Sequence, residues 1–582
     1  MTEVIVPQWA KDAVWYQIFP ERFRNGDPGN DPRVENIEHH NGEPIKNWKI
    51  REWGSDWYAA DQWETENFPS VFKSIYMRRY GGDLQGVADK LDYLKDLGIN
   101  AIYLNPVFRA VSLHKYDGVS FHHIDETFGP DPDGDRRMIE EACETDDPAT
   151  WVWTSADKLF LNLLEEAHKR EIRVIIDGVF NHSGRGFFAF QDILKNGKES
   201  KYKDWYNITR WSKSKPDGFY YKGWFGFDYL PEFRKEGDNL NPGYKQYLFN
   251  ITKRWMAPND SVEKGIDGWR LDVAFCIPHG FWKEWRQVVK EINPEAYTTA
   301  EIIEIAPEYV KGDEFDAMMN YPFLFCVTEF MFDKKNQITA TEFDKRLSEL
   351  RNAYDNETGL VMQNLLSSHD TPRLRTFITN PDMNPRDWST HHPKSQLEKN
   401  HKYRIDRGDE EHRQIHKLAV LFQMTYSGAP MIYYGDELGM TGANDPDCRK
   451  PMLWDDIVYE DEKVHPVKGM KRPVEKNQPD MDLFEHYKKM IKIRRDNPVL
   501  RRGTTESLVA EDTPGIFSFV REYEGEKVYV ILNNGSTEYT LLFGIPMFGK
   551  ESMTDILNNE EIKSVNGHFL IKIKPKWGVI LR

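Results

Sequence analysis

Three carboxyl groups follow short apolar runs in the second half of this chain. The segment DGWRLD, residues 267–272, places an arginine two positions before an aspartate. Alternate residues of a strand share a face, so Arg270 and Asp272 are expected to point the same way. A guanidinium beside a carboxylate favours the ionised form, which predicts a low pKa and a nucleophilic Asp272. With Glu301 in TTAEI and Asp370 in SSHD, this combination indicates cleavage of a glycosidic bond.

Eight apolar runs alternate with amphipathic helices between about residues 13 and 500. The runs cover 13–20, 99–107, 172–180, 266–274, 297–302, 315–321, 360–368 and 429–437. Their nearly continuous apolar character is typical of parallel strands buried on both faces. Helices are predicted between them, for example over 84–97 with Gly98 as the stop, over 155–170 and over 281–292. Eight βα units in series predict an α/β fold, the TIM (β/α)8 barrel, with its chemistry at the carboxyl ends of the strands.

Other segments do not fit a bare barrel. Residues 31–79 and 125–154 are predicted as polar loop insertions. Residues 183–240, rich in aromatic residues, Gly and Lys, are too long for a βα loop and predict a small lid domain. From 504 to 582 period-2 strands with turn residues predict an antiparallel β-sandwich. The barrel is therefore expected over 1–182 and 241–503.

Bulk composition excludes several partner classes. A formal net charge of −17 argues against nucleic acid and anionic membranes, and no run of 18 apolar residues predicts a membrane span. The start, MTEVIVPQWAKD, lacks the pattern of a signal peptide, so a cytoplasmic protein is expected. The four cysteines do not have the spacing of a disulfide framework, so free thiols are expected. Aromatic residues make up 13% of the chain, which fits a carbohydrate cleft. The oligomeric state stays open.

Four blocks of this sequence resemble those of the α-amylase family of glycoside hydrolases. They are DGVFNH at 177–182, GWRLD at 268–272, Glu301, and HD at 369–370. The segments DGWRLDVA, NLLSSHDTPR and NDPDCRKPM are most similar to those of the neopullulanase, cyclomaltodextrinase and maltogenic amylase group. The resemblance implies a retaining mechanism in which Asp272 is the nucleophile and Glu301, without a cationic partner and with a raised pKa, is the acid and base. Asp370 would bind the 2- and 3-hydroxyls of the sugar.

The same resemblance implies a set of substrate-binding residues, namely His182, Arg270, His369, Tyr116, His114, and the pair Asp445 and Arg449. Tyr116, in LHKYD, would be the platform under the sugar at the cleavage site. The pair in NDPDCR would grip the non-reducing sugar, although a plain surface ion pair is the competing interpretation. Asp177 and Asn181 are expected as structural support, with Asp177 orienting Arg270 and Asn181.

A polar loop after the first predicted strand has the composition of a calcium site. Its oxygen-bearing side chains can converge on a hard cation such as Ca²⁺. In related enzymes a glycine carbonyl and an aspartate complete the site, so the expected ligands are Asn25, Asp27, Asn30, Asp31, Gly81 and Asp83. The alternatives are an ordinary polar turn, and Asp83 as the N-cap of the next helix. The ion would be structural, and no organic cofactor is expected.

The chain departs from the group in ways that leave its substrate open. The group usually carries an additional N-terminal β-sandwich, which is expected to be absent because the first barrel strand starts near residue 13. Phe275 and Cys276 replace the group's usual Asn-Glu, and Ile303 replaces a Trp after the acid. These positions lie on the leaving-group side. The sequence therefore does not distinguish among starch, maltodextrin, cyclodextrin and pullulan as substrates, or between α-1,4 and α-1,6 bonds.

The expected function is hydrolysis of α-glucans through a covalent β-glycosyl–enzyme intermediate. A transglycosylase or α-glucosidase acting on short malto-oligosaccharides would use the same residues, because only the group that resolves the ester differs. A non-catalytic relative serving as a binding or chaperone subunit is a third alternative. Such relatives lose catalytic carboxyls, whereas this chain retains all three.

Overall fold

The computed structural model describes residues 4–37, 44–382, 386 and 388–582. Its centre is a barrel of eight parallel strands. In chain order they are β1 Trp15–Ile18, β2 Ala101–Leu104, β3 Arg173–Gly178, β4 Gly268–Leu271, β5 Tyr297–Ala300, β6 Ala317–Met318, β7 Gln363–Leu365 and β8 Ala429–Tyr433. The sheet order is β6-β5-β4-β3-β2-β1-β8-β7, and a parallel bridge between Met319 and Gln363 joins its two edges. The predicted TIM barrel is confirmed.

The strands are shorter than the apolar runs that predict them. Every strand residue except Arg173 is buried, as expected for a sheet covered by helices outside and packed side chains inside. The run over 315–321 yields only the two residues of β6, because Tyr321 already begins a helix. The polar ends of the runs lie beyond the hydrogen-bonded strands, at the carboxyl end of the barrel, which we call the rim.

The barrel helices follow the predicted periodicity, with one difference. The helix expected over 84–97 is divided at Lys90 into Leu84–Asp89 and Leu91–Leu97, and Gly98 ends it with φ 101°. The other helices of the barrel are Ser155–Lys169, Pro242–Met256, His279–Ile292, Tyr321–Val327, Ala340–Asn352, Asn356–Val361, Leu374–Thr379, Trp388–Lys394, Glu410–Thr425, Met481–Asp496 and Pro498–Arg502. None of the described helices is long and apolar enough to cross a bilayer.

Both insertions carry helices, so their prediction as loops was wrong in part. The first contains Gln62–Asn67 and Val71–Ser74, and the second contains Pro132–Ala142. In the latter, the Asp131 side chain accepts the Gly134 N–H as an N-cap and Pro132 occupies the first turn. These are ordinary start signals of a helix. The segment was predicted as a loop because its acidic composition was given more weight.

Residues 183–240 lie over the carboxyl end of β3. They contain the helix Phe188–Asn196, the hairpin Ile208–Trp211 with Phe219–Tyr221, and the short pair Lys235–Glu236 with Asn239–Leu240. A bridge joins His182 to Glu232, and the rings of Phe233 and Tyr244 stack at 3.6 Å. This segment therefore borders the rim of the barrel.

The C-terminal region is antiparallel, as predicted. It comprises β9 Thr504–Glu511, β10 Ile516–Tyr523, β11 Glu526–Asn533, β12 Tyr539–Gly544, β13 Ser552–Asp555, β14 Glu560–Lys563, β15 His568–Ile573 and β16 Trp577–Leu581. Six strands form one sheet in the order β9-β10-β11-β16-β13-β14, and β12 pairs with β15. A second apolar core, including Ile516, Leu541 and Phe569, lies in this region. The four cysteines are free thiols, as predicted.

Candidate active site

A fully buried guanidinium lies at the centre of the site. Arg270 is on β4, between β3 and β5. Its Nη1 donates to Asp177 on β3 at 2.8 Å and to Asp272 at 3.0 Å. Its Nη2 lies 2.9 Å from Oε1 of Glu301, directly after β5. Neighbouring parallel strands thus bring three carboxyl groups around one cation.

Two electrostatic predictions at this centre were wrong. Glu301 does have a cationic partner, because Arg270 reaches it as well as Asp272. The pKa of Asp272 is not lowered: burial and the nearby charge of Glu301 raise it well above the usual value, and Arg270 opposes this only in part. One guanidinium is shared among Asp177, Asp272 and Glu301 in a desolvated site, so it cannot fully offset each charge.

The backbone just after Asp272 is strained. Val273 has a φ of 38°, in the left-handed region that a β-branched residue rarely occupies. This conformation directs its N–H to Oε2 of Glu301 at 2.9 Å. Strain of this kind persists only where the surroundings enforce it, and it is concentrated at functional sites. No sequence signal predicted it.

A second charged group lies on the opposite side of the rim. Arg449 donates from Nη2 to Asp370 at 2.8 Å, and its Nη1 lies 2.9 Å from Asp445. Nε2 of His369 lies 3.0 Å from Asp370. Burial alone would raise the pKa of Asp370, but His369 and Arg449 outweigh it and hold that pKa low. Asp370 is therefore ionised, and the pair Asp445 and Arg449 extends into the site.

Tyr116 connects the two charged groups. Its hydroxyl lies 3.0 Å from Asp177 and 2.6 Å from Nε2 of His369, and the rings of Tyr116 and His369 stack at 5.5 Å with 9° between their planes. The Gln17 amide, assigned as a donor, meets Nδ1 of His369 at 2.9 Å. This assignment leaves the proton on Nε2, so His369 donates towards Tyr116 and Asp370.

Two further histidines predicted to bind substrate, His182 and His114, lie next to Tyr116. His182 is 1% exposed, stacks on Trp224 of the lid at 4.8 Å, and has its pKa lowered by burial to about 3. Nδ1 of His114 accepts the Tyr116 N–H at 3.1 Å, and burial with the charge of Arg449 lowers the pKa of His114 to about 3. Both rings are neutral near pH 7 and can exchange hydrogen bonds with hydroxyl groups.

Asn181 lies elsewhere than expected. Its Oδ1 accepts from Lys235 at 2.8 Å and its amide lies 3.3 Å from His182. The hydroxyls that meet Asp177 belong to Tyr103 and Tyr116. Asp177 therefore orients Arg270, as predicted, while Asn181 links the lid to the barrel.

Sequence reasoning missed several polar and aromatic residues of this site, namely Gln17, Tyr103, Asn105, Trp224 and Lys235. Gln17 interrupts the apolar run of β1, which is a signal for an inward-facing polar group. Asn105, directly after β2, donates to Tyr116 at 3.0 Å. Trp224 and Lys235 come from the lid, where spacing alone carries no information about the site.

Exposed aromatic rings lie in the segment 183–240 and shortly after Asp272. Phe225, Phe227 and Tyr229 of the lid are 72%, 46% and 56% exposed, and Phe275, three residues after Asp272, is 47% exposed. Aromatic rings left open beside buried polar groups offer flat apolar surfaces to a ligand.

The polar loop after β1 is organised around Asp83. This carboxylate accepts N–H groups from Gly26 at 3.1 Å, Asp27 at 2.9 Å and Gly86 at 2.6 Å, and the amide of Asn30 at 3.1 Å. Asp83 is the N-cap of the helix Leu84–Asp89. The alternative that Asp83 is an N-cap is confirmed. The same carboxylate also contacts the loop that carries the other predicted calcium ligands.

Two oxygens in this loop have the character of cation ligands. The side-chain oxygens of Asn25 and Asn30 are buried and have no hydrogen-bond partner in the described part of the chain. The amide of Asn25 donates to Asp31 at 2.7 Å. A Cβ at Gly81, where φ is 75°, would lie 2.2 Å from Oδ1 of Asp31. Unpaired amide oxygens beside a carboxylate fit a hard cation such as Ca²⁺.

Comparisons with known proteins agree on one family. The sequence model of the α-amylase catalytic domain matches residues 17–146 and 155–503. Neopullulanase 2 of Thermoactinomyces vulgaris is 36% identical over 576 residues, and a cyclomaltodextrinase of Thermoanaerobacter pseudethanolicus is 36% identical over 577; each alignment covers 99% of this chain and 78% of the relative. The structure of a cyclic α-maltosyl-(1→6)-maltose hydrolase from Arthrobacter globiformis superposes with a TM-score of 0.70 at 26% identity, covering 99% of this chain and 100% of the other.

Proposed function

The chain belongs to the α-amylase family of glycoside hydrolases, and we propose that it cleaves α-1,4-glucosidic bonds of maltodextrins and cyclodextrins with retention of configuration. The observation that carries this proposal is the arrangement of Asp272 and Glu301 around one guanidinium, with Asp370 ionised across the rim. The names of the relatives, neopullulanase and cyclomaltodextrinase, support an α-glucan as the substrate.

Asp272 is proposed as the nucleophile. Its oxygen attacks C1 of the sugar while the bond from C1 to the leaving oxygen breaks, giving a β-glycosyl ester. The hydrogen bond from Arg270 Nη1 positions the carboxylate for this attack. Glu301 donates its proton to the leaving oxygen, and then takes a proton from the water that attacks C1 and releases Asp272.

The buried carboxyl pair supports proton donation at neutral pH. Burial and the neighbouring carboxylate raise the pKa of Asp272, so the closely placed pair favours holding a proton. We propose that in the reacting complex this proton resides on Glu301, which leaves Asp272 ionised to attack. The Val273 N–H at 2.9 Å fixes the orientation of Glu301.

The remaining polar groups are proposed to bind one sugar ring. Asp370 accepts from the 2- and 3-hydroxyls, and Arg449 keeps it ionised. His369 and His182 exchange hydrogen bonds with hydroxyls, while Tyr116 offers its ring to the apolar face of the sugar. The exposed rings of Phe225 and Phe275 would stack on sugars of the leaving group.

We also propose that Ca²⁺ binds the loop after β1. Asn25, Asn30 and Asp31 would supply oxygens, and the carbonyl of Gly81 would approach closely because no Cβ intervenes. The ion would stabilise the connection between β1 and the helix Leu84–Asp89. It takes no part in bond cleavage.

The test is a product analysis with the wild type and Asp272→Asn. We expect maltotriose, γ-cyclodextrin and starch to be cleaved, with the new reducing end appearing first as the α-anomer in proton NMR. Loss of the nucleophile should lower activity roughly 10³-fold or more. Asp456→Asn, an exposed aspartate paired with Arg24, is the matched control.

Four results would contradict parts of the proposal. Release of the β-anomer would exclude retention, and full activity of Asp272→Asn would exclude this nucleophile. If longer saccharides dominate over hydrolysis products at high maltotriose concentration, the protein is a transglycosylase. Cleavage of pullulan at its α-1,6 bonds alone would overturn the proposed linkage.

A further inference from the structure

Two buried histidines and a glutamate outside the proposed active site share one point of contact. Nε2 of His122 and Nε2 of His123 lie 3.1 Å and 2.7 Å from the same oxygen, Oε2 of Glu144. His122 is 3% exposed and His123 is 0% exposed. In the described part of the chain this is the one group of three or more His, Cys, Asp and Glu whose donor atoms approach one another within 4.8 Å.

The second nitrogen of each ring is held by a group that fixes its orientation. Nδ1 of His123 lies 2.8 Å from Oδ2 of Asp157, and Nδ1 of His122 lies 2.9 Å from the hydroxyl of Tyr247. Metal-ligating histidines are usually held in this way, with the outer nitrogen bonded to a carboxylate or another polar group. Both inner nitrogens are thereby directed at one place.

The surroundings hold the three donors together. The ring of Trp151 stacks on His122 at 4.7 Å with 3° between the planes. Oε1 of Glu144 accepts the Val152 N–H at 2.7 Å, so Oε2 is the oxygen left to face the histidines. Arg254 contacts Asp157 at 3.1 Å, on the outer side of His123.

We propose that His122, His123 and Glu144 bind a divalent cation of the Zn²⁺ class. Two imidazole nitrogens and a carboxylate oxygen are ligands that Zn²⁺ prefers, and bonds of about 2.0–2.1 Å require donors about 3.3 Å apart in a tetrahedron. The present 2.7 Å and 3.1 Å separations would need to widen by about 0.6 Å and 0.2 Å, and the two histidine nitrogens, which lie within 4.8 Å of each other, would need to reach the same spacing. Water would complete the coordination.

The site is structural and joins four segments. The histidines follow β2, Glu144 follows the helix Pro132–Ala142 of the second insertion, Asp157 lies in the first turn of Ser155–Lys169, and Tyr247 lies on Pro242–Met256. A bound ion would anchor the insertion to the barrel. The inference does not depend on the proposed reaction, and its test does not use activity.

The experiment measures Zn²⁺ binding by calorimetry and the melting temperature of the full chain, after dialysis against a chelator. With Ca²⁺ added back and kept in the buffer throughout, so that the loop after β1 does not contribute, we expect one equivalent of Zn²⁺ to bind and to raise the melting temperature by about 2 °C or more. His122→Gln and Glu144→Gln should lose both effects. His168→Gln, whose ring pairs with Asp267 near the surface, should keep them.

Absence of stoichiometric Zn²⁺ on the wild-type protein would overturn the proposal, and so would unchanged binding by His122→Gln and Glu144→Gln. In either case the cluster is a metal-free ion-pair network centred on His123. If the variants do not fold, Co²⁺ bound to the wild type provides the second measurement. Visible absorption typical of tetrahedral coordination supports the site, and its absence counts against it.

Discussion

At the scale of single residues, the clustering of the carboxyl groups proposed as catalytic was predictable from the sequence, and their electrostatics were not. The sequence blocks that contain Asp272, Glu301 and Asp370 occur in the order and at the spacing that indicate the family. The guanidinium of Arg270 contacts Asp177, Asp272 and Glu301 at once. It can do so because β3, β4 and β5 are neighbours in the sheet. A linear pattern shows Arg270 beside Asp272, but it does not show the neighbours supplied by other strands.

Arg449 provides a prediction at this scale. Arg449→Gln removes the cation that contacts both Asp370 and Asp445, leaving two partly exposed carboxylates with one charge partner fewer. We expect kcat/KM for maltotriose to fall at least roughly tenfold, mainly through KM. The loss of Arg449 should also raise the pKa of Asp370, which moves the acid side of the activity profile to higher pH.

The control for this change is Arg24→Gln, which removes an arginine from an ion pair with the half-exposed Asp456. Its kinetics should match the wild type. An Arg449→Gln enzyme with unchanged KM and pH profile would show that the pair only stabilises the surface.

At the scale of elements, helices and strands with strong periodicity were predicted, and those specified by contacts were not. Gly98 ends the helix before β2 as its type predicts, because a left-handed residue at this position favours glycine. Pro132–Ala142 was missed because acidic residues dominate its composition. The lid was recognised as an insertion, but its contact between Trp224 and His182 required the fold.

Glu437 gives a prediction about how elements are joined. It lies after β8 and accepts hydrogen bonds from Tyr16 on β1 and from Tyr93 on the helix Leu91–Leu97, each at 2.7 Å. Burial raises the pKa of Glu437 to about 7, above the value of about 4.3 in an unfolded chain. Its stabilising contribution is complete below about pH 4 and is lost as pH rises through 7.

We therefore expect the free energy of unfolding of the wild type to contain a component that falls by up to about 1.4 kcal/mol per pH unit in this window. Glu437→Gln should lack this component, while Glu165→Gln, on an exposed helix face, should retain it. Urea titrations between pH 4.5 and 8 measure the difference. Parallel profiles for wild type and Glu437→Gln would contradict the assignment.

At the scale of the whole molecule, the barrel and the antiparallel C-terminal region follow from the order of the sequence patterns. The arrangement of eight strands is constrained because parallel neighbours need helical connections. The positions of the two insertions on this frame were not predictable, since they depend on side-chain contacts with segments far apart in sequence.

The proposed calcium loop makes a prediction for the whole molecule. Treatment with EGTA, followed by its removal, should lower the melting temperature by about 2 °C or more, and Ca²⁺ should restore it. Asn25→Ala removes an unpaired oxygen from the loop and should abolish the response to Ca²⁺. Asn196→Ala, an exposed asparagine bonded to Asp192, should respond like the wild type. A wild-type melting curve indifferent to both EGTA and Ca²⁺ would contradict the site.

The strained backbone at Val273 has a consequence for how the protein responds to heat. Its left-handed conformation is unfavourable by about 1–3 kcal/mol, and that energy is recovered as soon as the corner between Asp272 and Glu301 opens. Local opening at this corner therefore requires less energy than unfolding of the barrel. Such an opening withdraws the N–H that holds Glu301 while the helices and strands remain intact. On warming, we expect catalysis to fail in a range of temperature where circular dichroism still reports a folded protein.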